Sequence, residues 1–143
     1  MVLTPEHDKW VFYLMNKENI KKLFPEIITD KFNISCEQPI LLKNGYYKSV
    51  IGYWYIVIHF QIEKIHAQIV DEAKVEWRER INHFIYIEIK PKIESFGSIL
   101  RQIKKYKLYT DLTEGICQII LFTPDTIFNK EFESQGIKVI NPL

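Results

Sequence analysis

Between Cys36 and Lys90 the chain largely alternates between apolar and polar residues, which predicts a sheet built from hairpins. Asn44-Gly45 lies between two β-rich runs, and this dipeptide is the strongest short-range signal for a hairpin turn. One face of the second run is expected to be buried, and the opposite face is expected to be half-exposed. The residues expected on the buried face are Trp54, Ile56, Ile58, Phe60 and Ile62.

A second hairpin is predicted further along the chain. The preceding strand is expected to end at a turn near Glu63-Lys64, and two strands follow at residues 66–77 and 83–90. The polar segment 78–82 is expected to connect these two strands, because it separates two runs of alternating residues.

This connection fixes a register for the second hairpin. Arg78 is expected opposite His83, and the same register puts Asp71 opposite Lys90 and diagonal to Glu88. Side chains two positions apart on a strand share a face, so Glu88 and Lys90 project together. The pattern therefore predicts that Asp71, Glu88 and Lys90 converge.

The N-terminal segment carries a helix-start signal. Thr4 is a capping hydroxyl, Pro5 suits the first helical position, and Glu6 is an acid in the first turn. We expect the helix to be interrupted near Asn16 and to end before Pro25.

From Ser95 onward the apolar spacing changes to a helical period, with Ile99, Ile103 and Tyr106 on one side. The remaining elements are expected in this order: a strand at 117–124, a helix at 125–136 and a last strand at 137–142. The whole order predicts an α/β fold, a mixed sheet flanked by helices, in a single domain that spans residues 1–143.

The composition is that of a globular protein, with 47% hydrophobic and 26% charged residues, and it excludes general disorder. The net charge of +1 neither demands nor forbids a polyanionic partner. Cys36 and Cys117 have no ligand spacing, which argues against a zinc or iron–sulfur site and fits a reducing compartment. Because no signal-peptide pattern or membrane span is found, we expect an intracellular protein with no membrane partner.

Asp71 is the lone charge on an apolar face, where an unpaired carboxylate needs a cation or strong donors. Asp71 and Glu88 are hard oxygen ligands suited to magnesium or manganese. Lys90 can orient or deprotonate an attacking water, which is the chemistry of phosphodiester hydrolysis. A cross-strand salt bridge between Asp71 and Lys90 explains the same pattern equally well.

The stretch IVDEAKVEW…FIYIEIK resembles the core motif of the PD-(D/E)xK nuclease superfamily, an acid on one strand and ExK on the next. QIKKY matches the QhxxY helix signature of its RecB-like branch. The resemblance implies a restriction-endonuclease-like core and a magnesium-dependent nuclease. It assigns Asp71 and Glu88 to the metal and Lys90 to the attacking water. Gln102 and Tyr106 are then expected to contact the nucleic-acid backbone.

Basic residues surround the helical signature, among them Lys104 and Lys105. Such a cluster is usually a solvated helix face, but beside a phosphodiesterase site it is a natural phosphate contact. We therefore expect Lys104 and Lys105 to bind the substrate. DNA is the expected partner, although the sequence alone does not separate DNA from RNA.

The chain also departs from the family pattern. No proline precedes Asp71, and the acid that many members carry on the first helix cannot be assigned. Its candidates are Glu6, Glu18 and Glu26, with Glu37 on the first strand as a further candidate ligand. The alternative function is a non-catalytic nucleic-acid-binding or assembly protein on the same fold. A third is an interaction domain that forms a homodimer through its tyrosine- and tryptophan-rich hairpin.

Overall fold

The computed structural model describes residues 5–110 and 115–142. Its elements are α1 (Pro5–Leu14), α2 (Lys17–Leu23), β1 (Phe32–Asn44), β2 (Tyr47–Val70), β3 (Ala73–Ile89), α3 (Phe96–Leu108), β4 (Ile116–Phe122), α4 (Asn129–Ser134) and β5 (Lys138–Ile140). The strands form one sheet in the order β1-β2-β3-β4-β5. The β1–β2 and β2–β3 pairs are antiparallel, and the β3–β4 and β4–β5 pairs are parallel. The predicted α/β class with a mixed sheet is confirmed.

Capping side chains start two of the helices where the sequence predicts. The Asn16 side chain accepts hydrogen bonds from the backbone N–H groups of Glu18 and Asn19, which interrupts the N-terminal helical segment and starts α2. Ser95 caps α3 by accepting from the Ser98 N–H at 3.3 Å. None of the helices in the described ranges combines the length and apolar character needed to cross a membrane.

The first predicted hairpin is confirmed. Asn44 pairs with Tyr47, and Gly45 has a φ of +61° in the turn between them. A positive φ is easily adopted by glycine because it has no Cβ atom, and this explains why the Asn-Gly signal located the turn correctly.

The predicted second hairpin is wrong in position and register. β2 runs through Glu63-Lys64 without a turn as far as Val70, and β3 begins at Ala73. The turn between them consists of Asp71 and Glu72, whose φ values of 51° and 65° are left-handed, as in a two-residue hairpin turn. Segment 78–82, predicted as the connection, lies inside β3.

The observed pairs show the size of the register error. His83 lies opposite Phe60, and Arg78 lies opposite Ile65, so Arg78 and His83 are neighbours on one strand and not a cross-strand pair. The prediction missed the turn because apolar and polar residues alternate on both sides of it and the turn itself contains no glycine or proline.

Two apolar clusters cover the two faces of the sheet. One packs the isoleucines of β2 and β3 against α1 and α2 and includes Leu14, Ile20, Phe24, Ile56, Ile58, Ile85, Ile87 and Ile89. The other packs against α3 and α4 and includes Trp54, Tyr86, Ile103, Tyr106, Leu121 and Phe132.

Trp54 belongs to the second cluster, so the prediction that it shares a face with Ile56 is wrong. The alternation breaks beside Glu37 of β1, which has a φ of 55° and lies between the pairs Cys36–Ile56 and Gln38–Trp54. A left-handed residue in a strand redirects the side chains on either side of it.

Candidate phosphate-binding cleft

Glu88 and Lys90 lie together at the end of β3, as the ExK spacing predicts. Lys90 Nζ lies 3.7 Å from Glu88 Oε1, and the Lys90 backbone N–H donates to the Phe122 carbonyl of β4 at 3.0 Å. The Glu88 side chain is 1% exposed, whereas the Lys90 side chain is 23% exposed. The ammonium group is thus accessible and the carboxylate is sealed.

The environment of Glu88 disfavours its charge. Burial raises the pKa of Glu88 from an ordinary 4.5 to about 8, and the Lys90 ammonium opposes this rise only in part. Among the described residues, no donor reaches either Glu88 oxygen with good hydrogen-bond geometry, although the Ile89 N–H and the Lys90 ammonium are close enough to oppose the rise in pKa. A buried carboxyl group with no hydrogen bonds is costly and requires an explanation.

A cleft of about 540 Å³ opens beside this strand end. The β2–β3 ladder ends at the pair Ile56–Ile87, so the two strands separate there, and α3 borders the gap. The cleft is lined by Val50, Ile51, Gly52, Tyr53, Tyr55, Lys90, Gln102 and Tyr106. Its polar groups are one ammonium, one amide and three tyrosine hydroxyls, and these described lining residues include no acid.

Gln102 and Tyr106 lie on the face of α3 that borders the cleft, as their four-residue spacing predicts. Gln102 Nε2 donates a hydrogen bond of 2.8 Å to Tyr106 Oη. Burial raises the pKa of Tyr106, with the Gln102 hydrogen bond opposing this effect. The Trp54 ring lies edge-on to the Tyr106 ring at 5.5 Å, which helps to fix its orientation.

Gly52 lets the Tyr106 ring approach the backbone of β2. A Cβ atom built on Gly52 lies 2.3 Å from Tyr106 Cε1 and 2.6 Å from its hydroxyl oxygen. No larger residue fits at position 52 unless Tyr106 moves. The glycine is therefore part of the cleft.

Tyr55 lines the cleft and His7 packs against its ring, and neither was predicted from the sequence as a site residue. The observed register, continued by one residue beyond Ile56–Ile87, puts Tyr55 opposite Glu88. Burial, and then the Glu88 carboxylate, raise the pKa of Tyr55 to about 12. The buried His7 ring of α1 lies 4.0 Å from the Tyr55 ring, and burial lowers the pKa of His7.

Asp71 does not join this group. It lies exposed in the β2–β3 turn, 17 residues before Glu88, which corresponds to a separation on the order of 50 Å along the strand. The predicted convergence of Asp71 with Glu88 and Lys90 is therefore wrong, because it depended on the incorrect turn. The residue that the extended register brings to Glu88 is Tyr55, a phenol, and no acid of β2 lies at this strand end.

Lys104 and Lys105 are exposed on α3 but do not line the cleft. At roughly 100° per residue, Lys105 lies about 60° from Gln102 around the helix, whereas Lys104 points nearly opposite to Gln102. The two lysines, both predicted to bind the substrate, therefore lie on different sides of α3. Of the two, Lys105 is the one that flanks the cleft.

The candidate acids lie in different places. Glu6 of α1 lines a neighbouring groove together with Lys90. Glu18 lies in the first turn of α2, and Glu26 lines a separate cavity with Phe60 and His83. Glu37 is exposed, and its charge raises the pKa of Tyr55 after the larger effects of burial and of Glu88 and Tyr106. Of the four candidate acids, Glu37 is thus the one whose charge affects the pKa of Tyr55.

These positions do not fit a magnesium centre held by two carboxylates. Within residues 5–110 and 115–142, no group of three or more histidine, cysteine or acidic residues is arranged to hold a metal ion. Glu88 can supply one ligand only if its sealed oxygens become accessible. The strand-end lysine and the glutamine–tyrosine pair, in contrast, are in place.

Comparisons with family models, with curated proteins and with solved structures give no significant match to this chain.

Proposed function

We propose that the protein binds nucleic acid in the cleft between β2, the end of β3 and α3, and that it does so without hydrolysing it. One observation carries this proposal: the described lining of the open cleft offers donors and no acid, whereas the Glu88 carboxylate is sealed. DNA is the expected partner. A restriction-endonuclease-like core remains part of the proposal, supported by the order of three antiparallel strands, a helix and a parallel strand.

The cleft has the chemistry that a phosphodiester backbone requires. The Lys90 ammonium supplies a positive charge that is partly exposed, and the Gln102 amide and tyrosine hydroxyls are neutral hydrogen-bond donors. Such groups contact phosphates and fix the orientation of a strand without reading its sequence. Since no acid lines the described cleft, nothing there repels the phosphate charge.

The binding is tested by fluorescence anisotropy with labelled single-stranded and duplex DNA in the presence of EDTA. We expect binding without any divalent metal, and Lys90→Ala should weaken it about tenfold, which corresponds to about 1.4 kcal/mol. Lys104→Ala is the matched control, because it removes the same charge from the far side of α3, and it should change the affinity less than about twofold. Absence of binding, or equal effects of the two variants, contradicts the proposal.

A metal-dependent nuclease is the second candidate, and the conformation of Glu37 is the observation that favours it. A left-handed φ of 55° is unusual for a non-glycine residue within a strand, and such positions cluster at functional sites. Glu37 could supply the second carboxylate that Asp71 cannot. If this candidate is correct, Glu37→Gln and Glu88→Gln should each abolish a magnesium-dependent cleavage, while Asp71→Asn should leave it unchanged.

A further inference from the structure

Strands β2 and β3 extend beyond the sheet as a two-stranded arm, residues 61–82. The β1–β2 ladder ends at Phe60, and the β3–β4 ladder begins at His83. Within the described part of the chain, no third strand pairs with either edge of the arm. Most of its residues are exposed, and an isolated two-stranded hairpin is at best marginally stable in water. A partner strand would stabilise an arm of this length.

The two edges of the arm differ in their chemistry. Between residues 74 and 80, the β3 edge carries five charged residues: Lys74, Glu76, Arg78, Glu79 and Arg80. Charges on an edge strand oppose pairing with another chain. On the β2 edge, the segment IHAQIV at 65–70 contains no acid, lysine, arginine, proline or glycine. Such a segment is typical of a strand that pairs with another strand.

The β2 edge also carries an apolar row. Ile65, Ala67 and Ile69 alternate along the strand and therefore share one face. Ile65 is 63% exposed and Ile69 is 77% exposed. The charged residues near the row are already used within the arm, since Glu63 lies 3.5 Å from Arg78 in an ion pair. The row is therefore available to an apolar partner.

We propose that this β2 edge pairs antiparallel with the same edge of a second copy, about a twofold axis at Ala67. In this register Ile65 of each copy lies opposite Ile69 of the other, which joins the two apolar rows. With the axis at Ile65, Ile69 would lie opposite Gln61, and with the axis at His66 it would lie opposite Glu63. Neither register joins the two apolar rows. The two arms then form one four-stranded antiparallel sheet. This inference is independent of the proposed nucleic-acid binding.

The charge of the arm favours a protein partner over nucleic acid. Residues 61–82 include five acids and four bases: Glu63, Asp71, Glu72, Glu76 and Glu79 against Lys64, Lys74, Arg78 and Arg80. A β-ribbon that enters a DNA groove needs a positive balance, because the phosphate charges dominate affinity. The arm has no such balance, and its self-complementary apolar row fits a second copy.

Sedimentation velocity over a range of concentrations tests the dimer. We expect the wild type to dimerise and the double variant Ile65→Lys, Ile69→Lys to raise the dimer dissociation constant by about 100-fold or more. Val75→Lys is the matched control on the opposite face of the arm and should preserve the dimer, as should Lys90→Ala. Because Ile65, Ile69 and Val75 belong to neither core cluster, their variants should keep the wild-type circular dichroism spectrum.

Disulfide trapping tests the register. Ala67→Cys should give a covalent dimer under mild oxidation, because the two residues face each other at the axis. Val75→Cys should not, since three strand spacings, roughly 14 Å, separate the two copies of this residue. The wild type, with Cys36 and Cys117, gives the background.

Three results overturn the dimer proposal: a wild type that stays monomeric, a dimer that survives the double lysine variant, and a monomer whose arm is needed for DNA binding. Failure of Ala67→Cys to cross-link above the wild-type background overturns the register.

Discussion

Tyr55 and Glu88 are the next residues beyond Ile56–Ile87, the last pair before β2 and β3 separate, and the Glu88 carboxylate adds to the effect of burial in raising the pKa of Tyr55 to about 12. A phenol in this position donates a hydrogen bond but is a poor ligand for magnesium. The relationship supports the proposed binding of phosphate at the described strand end and argues against a metal centre held there by Asp71 and Glu88.

Tyr55→Asp should create magnesium affinity. The new carboxylate faces Glu88, so the variant should be less stable than the wild type in EDTA, because two acids then share a buried site. Millimolar magnesium should raise its melting temperature by about 3 °C or more, since a metal that binds only the folded state stabilises it. Tyr55→Asn is the control, because asparagine has nearly the same size as aspartate but carries no charge. An equal magnesium response in the two variants contradicts the assignment of Tyr55 to the position opposite Glu88.

Glu88 should make folding stability depend on pH. Its pKa is about 8 in the folded state against an ordinary 4.5, so between these values the folded state holds a proton that the unfolded state has lost. The free energy of unfolding should therefore fall as pH rises from 5 to 8, by about 1 kcal/mol per pH unit. Urea denaturation at three pH values measures this slope. Glu88→Gln should largely remove it, and identical slopes in both proteins contradict a sealed, protonated Glu88.

Gly52→Ala should displace Tyr106, because the added methyl carbon lies 2.3 Å from the ring. We expect a loss of about 2 kcal/mol in the free energy of unfolding, as for other overpacked sites, and weaker DNA binding. A double-mutant cycle supplies the control. In a Tyr106→Ala background the same substitution should cost less than about 0.5 kcal/mol, and an undiminished cost there means that Gly52 acts through another contact.

Lys105 and Lys104 should differ in their effect on the salt dependence of binding. If Lys105 contacts one phosphate, Lys105→Ala should reduce the slope of log affinity against log salt by about one unit, and Lys104→Ala should leave the slope unchanged. The measurement is a series of anisotropy titrations between low and high salt. A larger change for Lys104 places the nucleic acid on the opposite side of α3.

The glutamine–tyrosine pair and the strand-end charges could be predicted from the sequence because their signals are local. Ser95 caps a helix whose period puts Gln102 and Tyr106 on one face, and the i, i+2 spacing puts Glu88 and Lys90 together. None of these relationships depends on the position of a distant turn.

The partner of Glu88 across the sheet could not be predicted, because it depends on a long-range register. Alternation looks the same on both sides of the true turn, and Asp71-Glu72 lacks the glycine that marked Asn44-Gly45. The predicted turn was several residues too late, and this error placed Asp71 beside Glu88 and Lys90. His7 was missed for a related reason, since only tertiary packing brings α1 against β2.

The most direct test of binding without hydrolysis combines both measurements on the same preparation. Circular and linear DNA are incubated with the protein in EDTA, magnesium or manganese, and complexes and cleavage products are separated on parallel gels. We predict complexes under all three conditions and intact DNA throughout, with binding reduced by Lys90→Ala and retained by Glu88→Gln. Cleavage that requires magnesium or manganese and disappears in Glu88→Gln would contradict this account and identify the protein as a nuclease.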